Sequence, residues 1–257
     1  VYLLDTTTID LCLSVFPWAT FRKAKGAIKL HCGIDADGYL PVFMNMTNGK
    51  KHEADWAKTL TLHPGACVVF DRGFTDYSWY QKLTKRKITF VTRLKKNANY
   101  FCYGNRLRTD SNTIKSDQKI KLKGFTTDYR LVEFEDSETG KMYQFLTNSM
   151  SLKATEVAAL YKERWQIELF FKWIKQNLKV KSFLGTSGNA VLTQLWIALC
   201  VYLILSFLKF KAKLGISTSQ ILRVLQLNLF DRRSIWEILK PPNETQRIVS
   251  PQLLLWN

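Results

Sequence analysis

The stretch ACVVFDRGFTDYSWYQKLTKRKITFVTRL, Ala66–Leu94, decides the architecture. A short apolar run, Ala66–Phe70, stops at Asp71. A helical pattern then occupies about Tyr77–Arg86, and a second apolar run follows over Ile88–Leu94. Short apolar strands on either side of a helix indicate that at least this part of the sheet is parallel.

Upstream, Val1–Thr6, Ala27–Asp35 and Tyr39–Thr47 read as strands, with Asp37-Gly38 as a hairpin turn, so three antiparallel neighbours are expected. A helix over Glu53–Leu62 leads into the central stretch. The order βββαβαβ is that of the ribonuclease H-like (retroviral-integrase-like) α/β fold, a mixed sheet flanked by helices. Downstream, Lys95–Asn148 changes to alternating segments, among them Lys119–Lys123, Tyr129–Phe134 and Met142–Thr147, punctuated by Lys123-Gly124 and Thr139-Gly140. This is a β-rich insertion. Helical pattern resumes at Ser151 and continues through Leu152–Leu178 to a last helix closed by Pro241-Pro242. Residues 1–94 are thus expected to form the first part of the core, 95–148 the insertion, and 149–257 the helical completion.

At 257 residues and 46% hydrophobic, the chain has enough apolar material for a core without disulfides. Its 5 cysteines are widely spaced and contain no C-x-x-C pair, which argues against a disulfide framework and a zinc site and suits a reducing cytoplasm. The chain opens inside an apolar run without an initiator Met, as expected of a fragment. Val191–Phe210 is apolar enough to raise a membrane span. Thr193, Gln194, Ser206 and Lys209 within it favour a buried core helix.

Lys and Arg total 38 against 21 Asp and Glu, a formal charge of +17. Thirteen basic residues fall between Lys85 and Arg130, against three acidic ones. Such a surplus suits a polyanion, because each phosphate neutralised releases counterions, although a solvated basic face accounts for the charge equally well.

The chemistry concentrates in YKERWQIELFFKWIK, Tyr161–Lys175. At 100° per residue, Tyr161, Arg164, Glu168 and Lys175 fall within an arc of roughly 60° beside an apolar face of Ile167, Phe170, Phe171, Ile174 and Leu178. A carboxylate bordering a core between an arginine and a lysine is placed to bind a metal ion while its neighbours hold phosphate oxygens. The plainer reading is a Glu168–Arg164 ion pair on a surface helix. Asp5 and Asp71 end or interrupt apolar strands, where an isolated carboxylate is costly to desolvate unless compensated; singly, each also suits a turn or cap. With Glu168 they supply three hard oxygen ligands, the set preferred by Mg²⁺ or Mn²⁺.

These residues resemble the DDE transposases of the insertion-sequence-4 type. The signature Y-x2-R-x3-E-x6-K is present as Tyr161, Arg164, Glu168 and Lys175, and LLDTTTIDL and VVFDRGFTDY resemble the regions of the two aspartates. The resemblance covers nearly the whole chain. It implies Asp5, Asp71 and Glu168 as the catalytic, metal-binding triad, with Tyr161, Arg164 and Lys175 on phosphates of the transposon end. It also implies a homodimer on DNA and a bacterial, nucleoid-associated protein that is not in a membrane. Two ions, Mg²⁺ or Mn²⁺, roughly 4 Å apart, would then serve cleavage and strand transfer at insertion-sequence ends. Arg164 suits a bidentate phosphate clamp, Lys175 a point charge and Tyr161 a single hydrogen bond. The rivals are a transposase-derived DNA-binding protein without transposition activity and a ribonuclease H-like nuclease that cuts without joining.

Other residues read structurally. His52 suits a cap, and His31 and His63 lack metal-ligand spacing. Asp10, Asp35, Asp37 and Asp76 suit turns and caps. Trp165 and Trp173 are expected to pack against the C-terminal helices. Tyr100, Phe101 and Tyr103 are assigned to packing in the insertion, with stacking on a displaced base as the alternative.

Overall fold

The structure is a computed structural model that describes residues 1–22, 25–103, 112–177 and 183–239. Leu178 and Pro241-Pro242, to which helical roles were assigned above, lie outside these residues. In chain order the elements are β1 (Tyr2–Leu11), β2 (Thr20–Arg22), β3 (Lys25–Asp35), β4 (Pro41–Asn48), α1 (Glu53–Ala57), β5 (Cys67–Phe70), a 3₁₀ turn (Arg72–Phe74), α2 (Tyr77–Lys85), β6 (Thr89–Arg93), β7 (Tyr100–Tyr103), β8 (Ile114–Leu122), β9 (Asp128–Glu135), β10 (Met142–Thr147), α3 (Ala154–Glu163), α4 (Trp165–Asn177), α5 (Gly188–Lys211), α6 (Thr218–Leu227) and α7 (Ile235–Leu239). They divide into two compact units, Val1–Ala198 and Leu199–Asn257.

The first unit is built on one mixed sheet in the order β2-β3-β1-β5-β6-β10-β9-β8-β7, with β4 on β3. β1 is antiparallel to β3 and parallel to β5, which is parallel to β6. The parallel segment expected from Ala66–Leu94 is therefore present, and strands β7–β10 extend the same sheet through β10–β6 pairing. A central strand must be apolar on both faces, and Leu3, Leu4, Val68, Val69, Phe70, Phe90 and Val91 are all fully buried. Phe70 carries the packing of α2: its ring lies 4.9 Å from Trp79, 5.6 Å from Tyr80 and 6.0 Å from Phe90. Burying each such side chain contributes about 1.5–3 kcal/mol.

Three expectations are corrected. The first helix stops at Ala57 instead of reaching Leu62; Lys58 caps it, and the segment beyond runs without helix to β5. The segment read as one continuous helix is two, α3 and α4, because the chain tightens at Arg164. There the amide of Arg164 donates to Tyr161 at 3.2 Å and that of Ile167 to Arg164 at 3.2 Å, three-residue bonds of 3₁₀ type. Finally, α5 is long and apolar enough to cross a membrane, yet a third of its most apolar window is buried. The expectation of a buried core helix is met only in part, with that third of the window covered among the described residues. Val191, Leu195 and Ala198 are buried in the first unit, while Trp196 and Ile197 are exposed.

In the second unit Ser217 caps α6 through the Gln220 amide, and Lys211 Nζ stands over the rings of Phe207 and Trp236.

Candidate active site

The parallel register β1–β5–β6 aligns Leu4 with Phe70 and Phe70 with Thr92. The next residue along each strand is Asp5, Asp71 and Arg93, so two acids and an arginine emerge side by side at the carboxyl edge of the parallel strands. Asp71 ends β5 because its side chain turns to cap the 3₁₀ turn, with Oδ1 accepting from the Gly73 amide at 2.8 Å. Thr92 Oγ1 donates to the Asp71 carbonyl at 3.3 Å and holds this strand end to β6.

Helices α3 and α4 and the turn between them carry Tyr161, Arg164, Glu168 and Lys175. Arg164 Nη1 lies 3.3 Å from Asp5 Oδ2, and Arg164 Nη2 also donates to Glu168 Oε1. The ion pair read as the plainer alternative for Glu168 is therefore present, and it extends to Asp5. The Tyr161 ring packs against Phe145 with centroids 4.8 Å apart and the planes tilted by 34°, and the Arg164 guanidinium is 5.6 Å from the Tyr161 ring. Burial pushes the Tyr161 hydroxyl above its ordinary range. Lys175 Nζ donates to Thr7 Oγ1 at 2.6 Å and to the Thr8 carbonyl at 2.9 Å, which ties α4 to β1. All six sequence-derived site residues thus border one sheet edge.

Asp5 is the most perturbed of the acids. Burial raises its pKa to about 7, with the carboxylates of Asp71 and Glu168 adding to the rise and the Thr6 amide and Arg164 opposing it. Its field thereby registers both other acids nearby. The donor set is entirely hard oxygen, and a buried carboxylate raised by two neighbouring acids is the electrostatic condition that a divalent cation relieves, so the residues fit Mg²⁺ or Mn²⁺ in chemistry. Among the described residues, no three His, Cys, Asp or Glu groups converge closely enough to hold one ion in this arrangement. Arg164, bonded to Asp5 and to Glu168, supplies the positive charge between those two acids instead.

Residues 1–204 match the profile of the family described as Transposase DDE domain. The chain belongs to the DDE transposase family. Among the relatives of this DDE transposase are a putative transposase, y4zB, of Sinorhizobium fredii, 34% identical over 252 residues, and a probable transposase for insertion sequence element IS5377 of Geobacillus stearothermophilus, 29% identical over 211 residues. A putative transposase for insertion sequence element IS4SA of Synechocystis is 26% identical over 243 residues. The matches cover 93%, 80% and 91% of this chain and 69%, 55% and 68% of the respective relatives. The transposase domain acts on DNA by cleavage and strand transfer, and its family generally depends on divalent metal.

Two neighbours of this cluster are not among the residues that the sequence singles out. Arg93 lies with its guanidinium 4.8 Å over the Tyr143 ring and lines, with Tyr143, Phe145, Tyr161 and Arg164, a cavity of about 490 Å³. Its signal was available, since TFVTR ends β6 on a charge as CVVFD ends on Asp71. Glu53, at the start of α1, carried no signal beyond that of a first-turn acid. His52 caps α1 as expected, accepting from Ala54 at 3.3 Å, and Asp76 caps α2 through Trp79 at 2.9 Å. Asp10 instead sits inside β1. Trp165 follows the break at Arg164 and takes the first position of α4. Tyr100 packs against the core, whereas Phe101 is exposed.

Proposed function

We propose that Asp5, Asp71 and Glu168 are the catalytic carboxylates of a transposase of the insertion-sequence-4 type, with a ribonuclease H-like core at residues 1–94 and 149–257 and an insertion at 95–148. The observation that supports this best is the raised Asp5 carboxyl beside two further acids at the carboxyl edge of the parallel strands. The substrates are transposon ends and target DNA, bound by a homodimer in the bacterial cytoplasm at the nucleoid.

Asp5, Asp71 and Glu168 would hold two Mg²⁺ or Mn²⁺ ions. Such ions make water or a 3′-hydroxyl more acidic and neutralise the charge that develops on the leaving oxygen. The strand-borne acids supply two rigid ligands, since β1 and β5 are locked in the sheet. Glu168, at the first turn of α4, must give up its bond to Arg164 in order to join them, and the freed guanidinium is then available to clamp a DNA phosphate at two oxygens. Tyr161 offers one hydroxyl to the same strand. Lys175 adds a positive charge at the β1 side while keeping α4 in place.

Nicking of supercoiled plasmid in Mn²⁺ at low salt, beside Asp71→Ala and Glu168→Gln, tests this reading. Nicking by the parent chain and its loss in both variants is the expected result. Full nicking by either variant would overturn the assignment, and salt-sensitive binding without nicking by any of them would favour a transposase-derived DNA-binding protein.

A further inference from the structure

We infer that Glu53 is a positioning residue for Asp71, acting across the space that Gly73 leaves open. The inference rests on the proposed role of Asp71 as a metal ligand and extends the site to a fourth acid, on a different element from the other three.

Helix α1 is fastened to the turn that follows Asp71. The buried rings of Trp56 and Phe74 lie 6.3 Å apart, and Trp56 also stacks on His31 at 5.1 Å, so the helix is held between the turn and β3. Glu53 opens this helix. Its Oε1 is 3.4 Å from Lys29 Nζ, which also donates to the Lys51 carbonyl at 3.0 Å, and this fixes the direction of the carboxylate. Its other oxygen sits over Gly73: a Cβ there would meet Glu53 Oε2 at 2.2 Å and Asp71 Oδ1 at 2.9 Å. Gly73 does not have a positive φ, so the requirement for glycine here is one of space and not of backbone conformation.

Glu53 and Asp71 thus present oxygens to the same point, with the Gly73 amide donating to Asp71 Oδ1. Lys29 holds one carboxylate, and repulsion between the two like charges limits where the other can turn. Asp71 is also close enough to Asp5 to add to the rise of its pKa. Asp71 thus has Glu53 and Asp5 as acidic neighbours, and Glu53 restricts its orientation and adds to the negative potential seen by a cation. Groups that orient a ligand in this way typically change metal affinity by about 10- to 100-fold when removed.

The test is Mn²⁺ titration of the intact chain by calorimetry without DNA, with thermal unfolding recorded on the same samples, for Glu53→Gln, Glu53→Ala, Gly73→Ala and Asp71→Asn. We expect Glu53→Gln and Glu53→Ala to weaken Mn²⁺ binding roughly 10-fold or more with the metal-free unfolding temperature retained. Gly73→Ala, which crowds both the Glu53 and the Asp71 carboxylates, should weaken it likewise. Parent-like Mn²⁺ affinity in both Glu53 variants, with affinity lost in Asp71→Asn, overturns the role of Glu53 alone. Parent-like affinity in Asp71→Asn overturns the metal reading on which it rests.

Discussion

Arg164 reaches from the junction of α3 and α4 to Asp5 on β1, with Nη1 3.3 Å from Asp5 Oδ2 across a separation of 159 positions in sequence. Its second nitrogen is bonded to Glu168, so one guanidinium is shared by two of the three acids. Arg164→Ala leaves those acids uncompensated beside Asp71, and unfolding free energy should fall by about 1–3 kcal/mol. Mn²⁺ should restore more stability to this variant than to the parent, because it supplies the missing positive charge. Urea unfolding with and without Mn²⁺ measures both effects, and equal stability of variant and parent would refute the compensating role.

Glu168→Gln keeps the shape of the side chain and removes its charge. Nicking and strand transfer should be lost while affinity for plasmid DNA is retained, since the proposed role of Glu168 is to supply a ligand charge and no phosphate contact. Gel-shift and nicking assays on the same preparation separate the two; nicking at the parent rate contradicts the assignment.

Lys175→Met removes the tether between α4 and β1. Loss of the bonds to Thr7 and Thr8 should cost about 1–2 kcal/mol of unfolding free energy. If the ammonium also meets a DNA phosphate, the slope of log affinity against log salt should fall by about 0.9, which is the expected outcome. A stability loss with an unchanged slope would assign Lys175 to the tether alone.

The buried pair Arg130–Asp117 predicts a larger effect. Nε and Nη2 of Arg130 lie 2.7 and 2.6 Å from the two Asp117 oxygens, and Nη1 donates to the carbonyls of Ser149 and Leu152, just ahead of α3. Asp117→Ala strands a buried guanidinium and should cost about 3–5 kcal/mol, whereas Asp117→Leu with Arg130→Met should recover part of that loss. Denaturant unfolding of the three proteins checks this; a double variant no better than the single would show that the carbonyl bonds dominate.

His31 predicts an acid limb in stability. Buried between Thr6 and Thr47, each bonded to the ring at 2.8 Å, it is held at a pKa of about 4, chiefly by burial and further by Lys29 and Lys51. The unfolded chain binds this proton near pH 6.5 and the folded chain only near 4, so stability falls as pH drops from 6.5 towards 4, by up to about 3 kcal/mol. His31→Gln, which retains a donor and an acceptor, should flatten that part of the profile. Unfolding free energy measured at pH 7, 5.5 and 4.5 gives the answer, and an unchanged slope in the variant would place the acid sensitivity elsewhere.

Much of this molecule was legible in one dimension. Apolar runs ending at Asp71 and Leu94 with a helix between them dictate a parallel pair, because a strand buried on both faces must be apolar throughout and a parallel partner needs a crossover. The spacing of Tyr161, Arg164, Glu168 and Lys175 places them on one side of a helical segment, which is local geometry and needs no tertiary information. The break at Arg164 was not legible, since nothing in KERWQI disfavours helix.

What only the tertiary structure decided is which charges meet. Pairing of β1 with β5, more than sixty positions apart in sequence, sets Asp5 beside Asp71, and the register extends to Arg93. The position of α1 brings Glu53 over Gly73, and the chain path after α3 brings Arg164 to Asp5. Periodicity reports which face of an element is apolar and carries no information on which distant element will cover it; a charge network between elements is fixed only when the sheet register and helix packing are. The sequence by itself determined the elements, their order and the kinds of groups at their ends, and the folded chain decided their partners.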